Sequence, residues 1–166
     1  MSLDKFMGSL PKARRFDLAI RLSKLALPLW DEYAAANELN YSDTVVGMFH
    51  EVDPLLLKRT IDTVDEHYHS ENPNNPAEFI RKLAILQKEF EDPIVALQDD
   101  DWQLPDPVRK TFYAVHNLAE ALAGNEKTVF GESTIYVSVN QSADALLSSK
   151  TKTADEINKI LLEFNT

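Results

Sequence analysis

The chain has 166 residues, of which 44% are hydrophobic and 27% charged, and its formal net charge is −10. This length suits one well-buried core and is short for two domains. The absence of cysteine excludes disulfides, thiol catalysis and cysteine-ligated metal sites. The acidic balance repels nucleic-acid phosphates and anionic lipid, and no apolar run is long enough to span a membrane, so we expect no nucleic-acid or membrane partners. The lack of cysteine and of a signal peptide's continuous apolar segment predicts a cytoplasmic protein.

Four pairs of Asp or Asn followed by Pro mark expected helix starts. The Asx side chain can accept a hydrogen bond from the free N–H groups of a first helical turn, and proline at the next position loses no bond there. Apolar residues of helical period follow each pair. The pairs are Asp53-Pro54, Asn75-Pro76, Asp92-Pro93 and Asp106-Pro107.

The first predicted helix runs from about Ala13 to Asn37. Two adjacent apolar stripes leave only a narrow polar strip on it, which is typical of a helix near the centre of a bundle. Pro28 falls on the polar strip, where a proline bends the helix and water can satisfy the freed carbonyl. The alternative is a break into two helices at Leu27.

Two helices are predicted in the next part of the chain. A short helix is expected to begin at Tyr41-Ser42-Asp43, with Ser42 as its cap, and to end before Asp53. A longer helix begins at Pro54, because apolar residues recur at i, i+4, i+7 and i+11, and it ends at a polar loop rich in turn formers.

The central region predicts two further helices and a short segment between them. A helix begins at Pro76, and a separate short segment follows Pro93. The helix that begins at Pro107 ends at Gly124, a residue suited to the left-handed conformation that terminates helices.

Residues 128–149 have two interpretations. The β-branched and aromatic run 134–139 favours a strand on propensity, but the same apolar residues fit one face of a helix capped by Ser133. The backbone hydrogen-bonding groups of a lone strand are hard to satisfy without a partner strand, so we predict a helix. A capping box at Thr153 opens the last helix. The fold class is therefore all-α, a single-domain bundle of about six to seven helices over residues 1–166.

Residues 89–106 hold seven carboxylates and no basic residue. An aromatic residue beside carboxylates is a reasonable hot spot for a basic partner protein. Two alternatives stay open: the aspartates form only a solvated loop between helices, and the tryptophan packs into the core. The predicted partner-binding residues are Asp99, Asp100, Asp101 and Trp102.

Two histidines are candidates for metal binding or acid–base catalysis. Glu66-x-x-His69 has the spacing of helical di-iron ligands, but the second copy that such a site needs is absent. His69 is expected to pair instead with Asp65, one turn earlier. His116 is a candidate general base, but no serine or carboxylate motif accompanies it. We therefore predict no catalytic, cofactor-binding or metal-binding residues.

The segment Leu18–Tyr33, which ends in Leu27-Pro28-Leu29-Trp30-Asp31-Glu32-Tyr33, resembles the first helix of the YjaG-like family, a bacterial all-helical family of unknown function. Residues 107–122 and 133–147 also resemble later helices of that family, whereas the acidic region 89–106 departs from it. The resemblance implies a compact helical bundle in a bacterial cytoplasm. It implies no active-site residues.

The function hypothesis is a non-enzymatic helical protein that binds a basic protein partner through an acidic docking face. A specific version is an immunity or inhibitor protein whose carboxylates plug the basic cleft of a toxin. The alternative is an enzyme or ligand-binding bundle with a central pocket near His116, Tyr113 and the Trp30–Tyr33 turn. Homo-oligomerisation through an apolar helix face is a further option.

Overall fold

The computed structural model describes residues 2–69 and 76–165. Within these ranges the chain forms seven helices and one two-stranded antiparallel sheet, which confirms the predicted all-α bundle. None of the described helices combines the length and apolarity needed to cross a lipid bilayer. The elements are α1 (Leu3–Ser9), α2 (Lys12–Ala36), β1 (Asn40–Ser42), β2 (Phe49–Glu51), α3 (Leu56–Tyr68), α4 (Pro76–Gln98), α5 (Asp106–Leu122), α6 (Thr134–Ser148) and α7 (Ala154–Glu163).

The long helix α2 matches its prediction to within one residue at each end. It continues through Pro28, so the alternative of a break at Leu27 is wrong. Pro28 is exposed, as expected of a residue on the polar strip, whereas Leu18, Leu22 and Trp30 are fully buried. The short helix α1 was not predicted; Ser2 caps it by accepting a hydrogen bond from the N–H of Lys5.

The short helix predicted from Ser42 is wrong, because residues 40–51 form a β-hairpin. The Asp43 carboxylate accepts hydrogen bonds from the N–H groups of Val45 and Val46, at 2.8 and 3.2 Å, and these bonds close the turn. Gly47 has a φ of 72°, a left-handed conformation that glycine adopts without strain. The turn bonds favour the hairpin over the predicted helix, and β-branched Val45 and Val46 have a lowered helix propensity.

Two of the four Asx-Pro pairs lie at helix starts much as predicted. The Asp53 carboxylate accepts a hydrogen bond from the N–H of Leu55 at 2.9 Å, and α3 begins one residue later. Asp106 begins α5 itself, after Pro105 at the capping position, and its carboxylate pairs with Arg109 rather than with the backbone. Pro76 is the first residue of α4, and Asn75 lies outside the described residues.

The prediction for Asp92-Pro93 is wrong, since this pair lies inside a continuous α4. Pro93 is buried on the face that also carries Phe90, Ile94 and Leu97. A proline inside a helix costs about 3 kcal/mol, and packing of this apolar face offsets that penalty.

The last two helices confirm their predictions. Residues 134–139 lie in α6, so the strand alternative is wrong. Ser133 occupies the capping position without making a side-chain cap bond, and the Thr134 hydroxyl instead donates to the Asn125 carbonyl at 2.7 Å. Thr153 and Glu156 form the predicted capping box at the start of α7.

The helices enclose two clusters of buried hydrophobic residues. The first lies mainly between α1, the first half of α2, α6 and α7. The second lies between the end of α2, the start of α3, the end of α4 and the start of α5. It also includes Tyr41 on β1 and Val52 directly after β2. The hairpin and the turn after α4 therefore rest on the second cluster.

Candidate docking surface and adjacent cavity

The hairpin turn exposes a group of apolar side chains. We call residues 43–49 the hairpin tip. Its exposed hydrophobic residues are Val45 (90% exposed), Val46 (66%), Met48 (56%) and Phe49 (59%). Single exposed hydrophobic residues are ordinary, but a consecutive group of them is a common mark of an interaction surface.

The predicted aspartates lie directly beside the hairpin tip. We call Asp99–Asp101 the acidic turn; it follows the end of α4, and Asp100 takes a left-handed φ of 59° there. The Thr44 hydroxyl donates a 2.9 Å hydrogen bond to the Asp101 carboxylate. This bond joins the apolar tip and the acidic turn into one continuous surface. Asp99 and Asp100 are exposed on it.

The surface is strongly negative. Residues 38–57 contain four carboxylates and no lysine or arginine, and 89–106 contain seven carboxylates and no basic residue. Burial raises the pKa of the Tyr41 phenol to about 12, with the charges of Asp92 and Asp43 adding to the effect. Asp43, Asp92 and the acidic turn form no ion pair with the other residues that the structure describes. Their charge is therefore not neutralised by a neighbouring side chain in these ranges.

Trp102 is buried in the second core cluster, as the alternative that it packs into the core predicts. It is 5% exposed and its ring stacks on Tyr41, with centroids 5.6 Å apart. It also meets Trp30 and Phe112 edge-on, at 6.3 and 5.5 Å. The ring thus anchors the acidic turn to the second core cluster and offers little surface to a partner. Partner binding by the three aspartates stays a prediction.

A cavity of about 570 Å³ lies near His116 and Tyr113, between the end of α4, α5, the start of α6 and the loop 124–133. It differs in position from the predicted central pocket. Trp30 is fully buried among Trp102 and Phe112, so the centre of the bundle at that level is filled by aromatic rings. The cavity instead opens at the side of α5.

Glu120 is held in place beside this cavity. Its carboxylate lies 3.5 Å from the His116 imidazole and accepts hydrogen bonds from the amides of Gln87 and Asn125. These contacts, that of His116 first, lower the pKa of Glu120 from 4.5 to about 2, although partial burial opposes them. The carboxylate is thus ionised at any physiological pH. Glu120 was not predicted from the sequence: its spacing of four residues from His116 is a local signal, but Gln87 comes from α4 and Asn125 from the loop.

His69 forms the pair that its spacing predicts and a second one besides. Its Nδ1 lies 2.7 Å from the Asp65 carboxylate, and its Nε2 lies 2.8 Å from that of Asp17 on α2. His67 stacks flat on Phe79 instead. Across residues 2–69 and 76–165, no group of three or more carboxylate and imidazole side chains is arranged to hold a metal ion.

Comparison with known proteins found no matching family model, and no curated protein or solved structure with significant similarity to the chain. The resemblance to the YjaG-like family stays a prediction.

Proposed function

We propose that this protein is a non-enzymatic helical module that binds another protein through the hairpin tip and the acidic turn. The observation that carries the proposal is the Thr44–Asp101 hydrogen bond, because it places exposed valines directly beside unneutralised aspartates. A surface of this kind fits a partner with an apolar depression rimmed by lysine or arginine side chains.

The two halves of the surface would contribute differently to binding. Burial of Val45, Val46 and Phe49 would supply most of the affinity, since apolar burial is the main favourable term in association. The aspartates would mainly speed encounter and fix orientation, an effect that weakens as salt increases. Low affinity of the surface for nucleic acid follows from the same charge.

A toxin with a basic active cleft, such as a nuclease, is a partner of this chemistry. The protein would then act in the cytoplasm as an immunity or inhibitor protein, with the hairpin tip inserted into the cleft. Its carboxylates would occupy positions that substrate phosphates otherwise take. This specific version predicts that the partner loses its activity in the complex.

The test is affinity purification from the native cells with three variants, followed by direct binding measurements on the purified partner. One variant combines D99N, D100N and D101N, and a second combines V45S and V46S. The control combines E66Q, D144N and D155N, three exposed carboxylates on α3, α6 and α7 that make the same charge change elsewhere.

The expected partner is basic, binds wild type and control equally, and binds both surface variants more weakly. The aspartate variant should associate more slowly than wild type, and its association rate should depend less on salt concentration. The valine variant should dissociate faster than wild type. Equal binding by all three variants would overturn the proposal. So would light scattering that shows a stable homodimer disrupted by the valine variant, because the hairpin tip would then be a self-association surface.

A further inference from the structure

We propose that the cavity between α4, α5 and the loop 124–133 is a binding site for a small organic cation, namely an amine or amidinium group carried on an apolar body. This site is separate from the proposed docking surface and does not depend on it. Its volume of about 570 Å³ lies within the range of about 300–1,000 Å³ typical of small-molecule sites.

The polar side chains beside the cavity include two carboxylates and one amide oxygen that can accept hydrogen bonds from a ligand. Glu120 and Glu132 supply carboxylates. The Asn117 amide donates to the Tyr113 carbonyl at 2.9 Å, and its side-chain oxygen accepts no hydrogen bond from the described residues. A donor-rich cationic group complements this set, because ammonium and amidinium groups donate hydrogen bonds and accept none.

The electrostatic field beside the cavity also favours a cationic ligand. Glu120 is ionised and held in place by three neighbours, so its charge does not need to be created or reoriented when a ligand binds. Burial raises the pKa of the Tyr113 phenol; the charge of Arg109 opposes this change, and that of Asp100 adds to it. At Tyr113 the effect of Arg109 is larger than that of Asp100. The negative charge beside the cavity is therefore that of Glu120 and Glu132. Lys127 is the one lysine or arginine among the described lining residues.

Apolar groups are available for the body of the ligand. Ile94 and Val137 line the cavity from the two flanking helices. The loop tip presents Val129 (92% exposed) and Phe130 (83% exposed), although both also line the cavity. A bound ligand would give these side chains an apolar partner, and the Phe130 ring could also contact the cation through its π face.

The loop is built to hold Phe130 at the rim. The Thr128 hydroxyl accepts hydrogen bonds from the N–H groups of Phe130 and Glu132, at 3.3 and 3.2 Å. The Thr128 N–H donates to the Glu132 carbonyl at 2.8 Å, and Gly131 has a φ of 81°. These bonds fix the turn, and the Phe130 ring is exposed beside the cavity.

The experiment uses three probes of one shape and different charge: 2-phenylethylamine, 2-phenylethanol and 3-phenylpropanoate. Binding is followed by amide chemical-shift changes in NMR spectra of the isotopically labelled protein. We expect the amine to shift resonances of Asn117, Asn125 and the loop 124–133, and to bind at least about tenfold more tightly than the carboxylate.

Two variants and a control localise the site. E120Q should weaken binding of the amine about tenfold, because it removes the charge but keeps a side chain of the same shape. F130A should weaken it severalfold, and its exposed position leaves the fold intact. E66Q, which makes the same charge change on α3, should bind as wild type does.

Three outcomes would overturn the proposal: equal binding of amine and carboxylate, absence of shifts at the cavity with all three probes, or equal affinity of E120Q and E66Q for the amine. If E120Q fails to fold, F130A decides the question, because a cavity ligand that does not contact Phe130 contradicts the proposed site. None of these outcomes affects the docking proposal, which involves other residues and a protein partner.

Discussion

The hydroxyl of Thr44 and the carboxylate of Asp101 lie 2.9 Å apart, although 57 residues separate them along the chain. Thr44 belongs to the hairpin turn, and Asp101 to the turn that follows α4. Both turns rest on the same aromatic cluster, in which Tyr41 stacks on Trp102. The hydrogen bond and the shared aromatic cluster therefore hold the two halves of the docking surface together.

Loss of this hydrogen bond should loosen the hairpin tip. We expect T44V to unfold about 0.5 kcal/mol more easily than wild type, since an exposed hydrogen bond contributes little. Amide hydrogen exchange at residues 43–48 should become faster. D101N is the matched control, because the asparagine oxygen can still accept the bond. Equal exchange rates in T44V and wild type would show that the tip is held by its backbone alone.

The indole of Trp30 ties α2 to the start of α3. Its Nε1 donates a 2.8 Å hydrogen bond to the Pro54 carbonyl, and the ring is fully buried. W30F should lower the free energy of unfolding by about 3 kcal/mol, because it removes buried ring volume and the part-buried hydrogen bond to the Pro54 carbonyl. W102F should lower it by only about 1 kcal/mol, since the indole of Trp102 donates no hydrogen bond to the described residues.

Urea denaturation followed by far-ultraviolet circular dichroism measures both variants without relying on tryptophan fluorescence. The comparison separates the hydrogen bond from the volume change, because both substitutions remove the same atoms. A W30F variant no less stable than W102F would contradict the importance of the bond to Pro54.

The cluster of His69, Asp65 and Asp17 should make stability depend on pH. Partial burial acts to lower the pKa of His69, but its hydrogen bonds to the two aspartates outweigh burial and raise it above 6.5. The stabilisation is therefore complete below 6.5 and is lost as the pH rises through the higher folded-state value. Burial likewise opposes the net change at Asp65, whose pKa is lowered below 3.8 by its bonds to Lys24 and His69.

The contribution of Asp65 is present above 3.8 and is lost as the pH falls through its lowered folded-state value. The difference in unfolding free energy between wild type and H69Q should thus be largest near about pH 5 and smaller near about pH 8. Denaturation at a series of pH values measures it. H67Q is the matched control, because His67 stacks on Phe79 instead of lying between the two aspartates.

Glu120 should stabilise the fold except in strong acid. Because its folded-state pKa is lowered from 4.5 to about 2, the stabilisation is present above 4.5 and is lost as the pH falls through about 2. This pKa difference corresponds to about 3 kcal/mol of folding stability. Because solvent screens the charge, we expect E120Q to lose about 2 kcal/mol of unfolding free energy near neutral pH. The loss should shrink steadily on acidification. A loss that is equal at about pH 3 and about pH 7 would contradict this account.

Local patterns in the sequence predicted most of the helices, because the interactions that start, stop and align a helix act between residues close in sequence. The capping box of Thr153 and the αL terminator Gly124 act within one helical turn, and the apolar stripe of α2 repeats within the helix itself. The pairing of His69 with Asp65 is of the same kind, because four residues bring two side chains together on any helix. Features like these do not depend on the rest of the chain.

The tertiary structure decided whatever depends on residues distant in sequence. Burial of Pro93 against the second core cluster overrides its local signal for a helix start. The contact of Thr44 with Asp101 and the bond of Gln87 to Glu120 arise because separate elements pack on a common core. Neighbouring residues determine where helices form, whereas a docking surface and a cavity exist only where packing brings remote residues together.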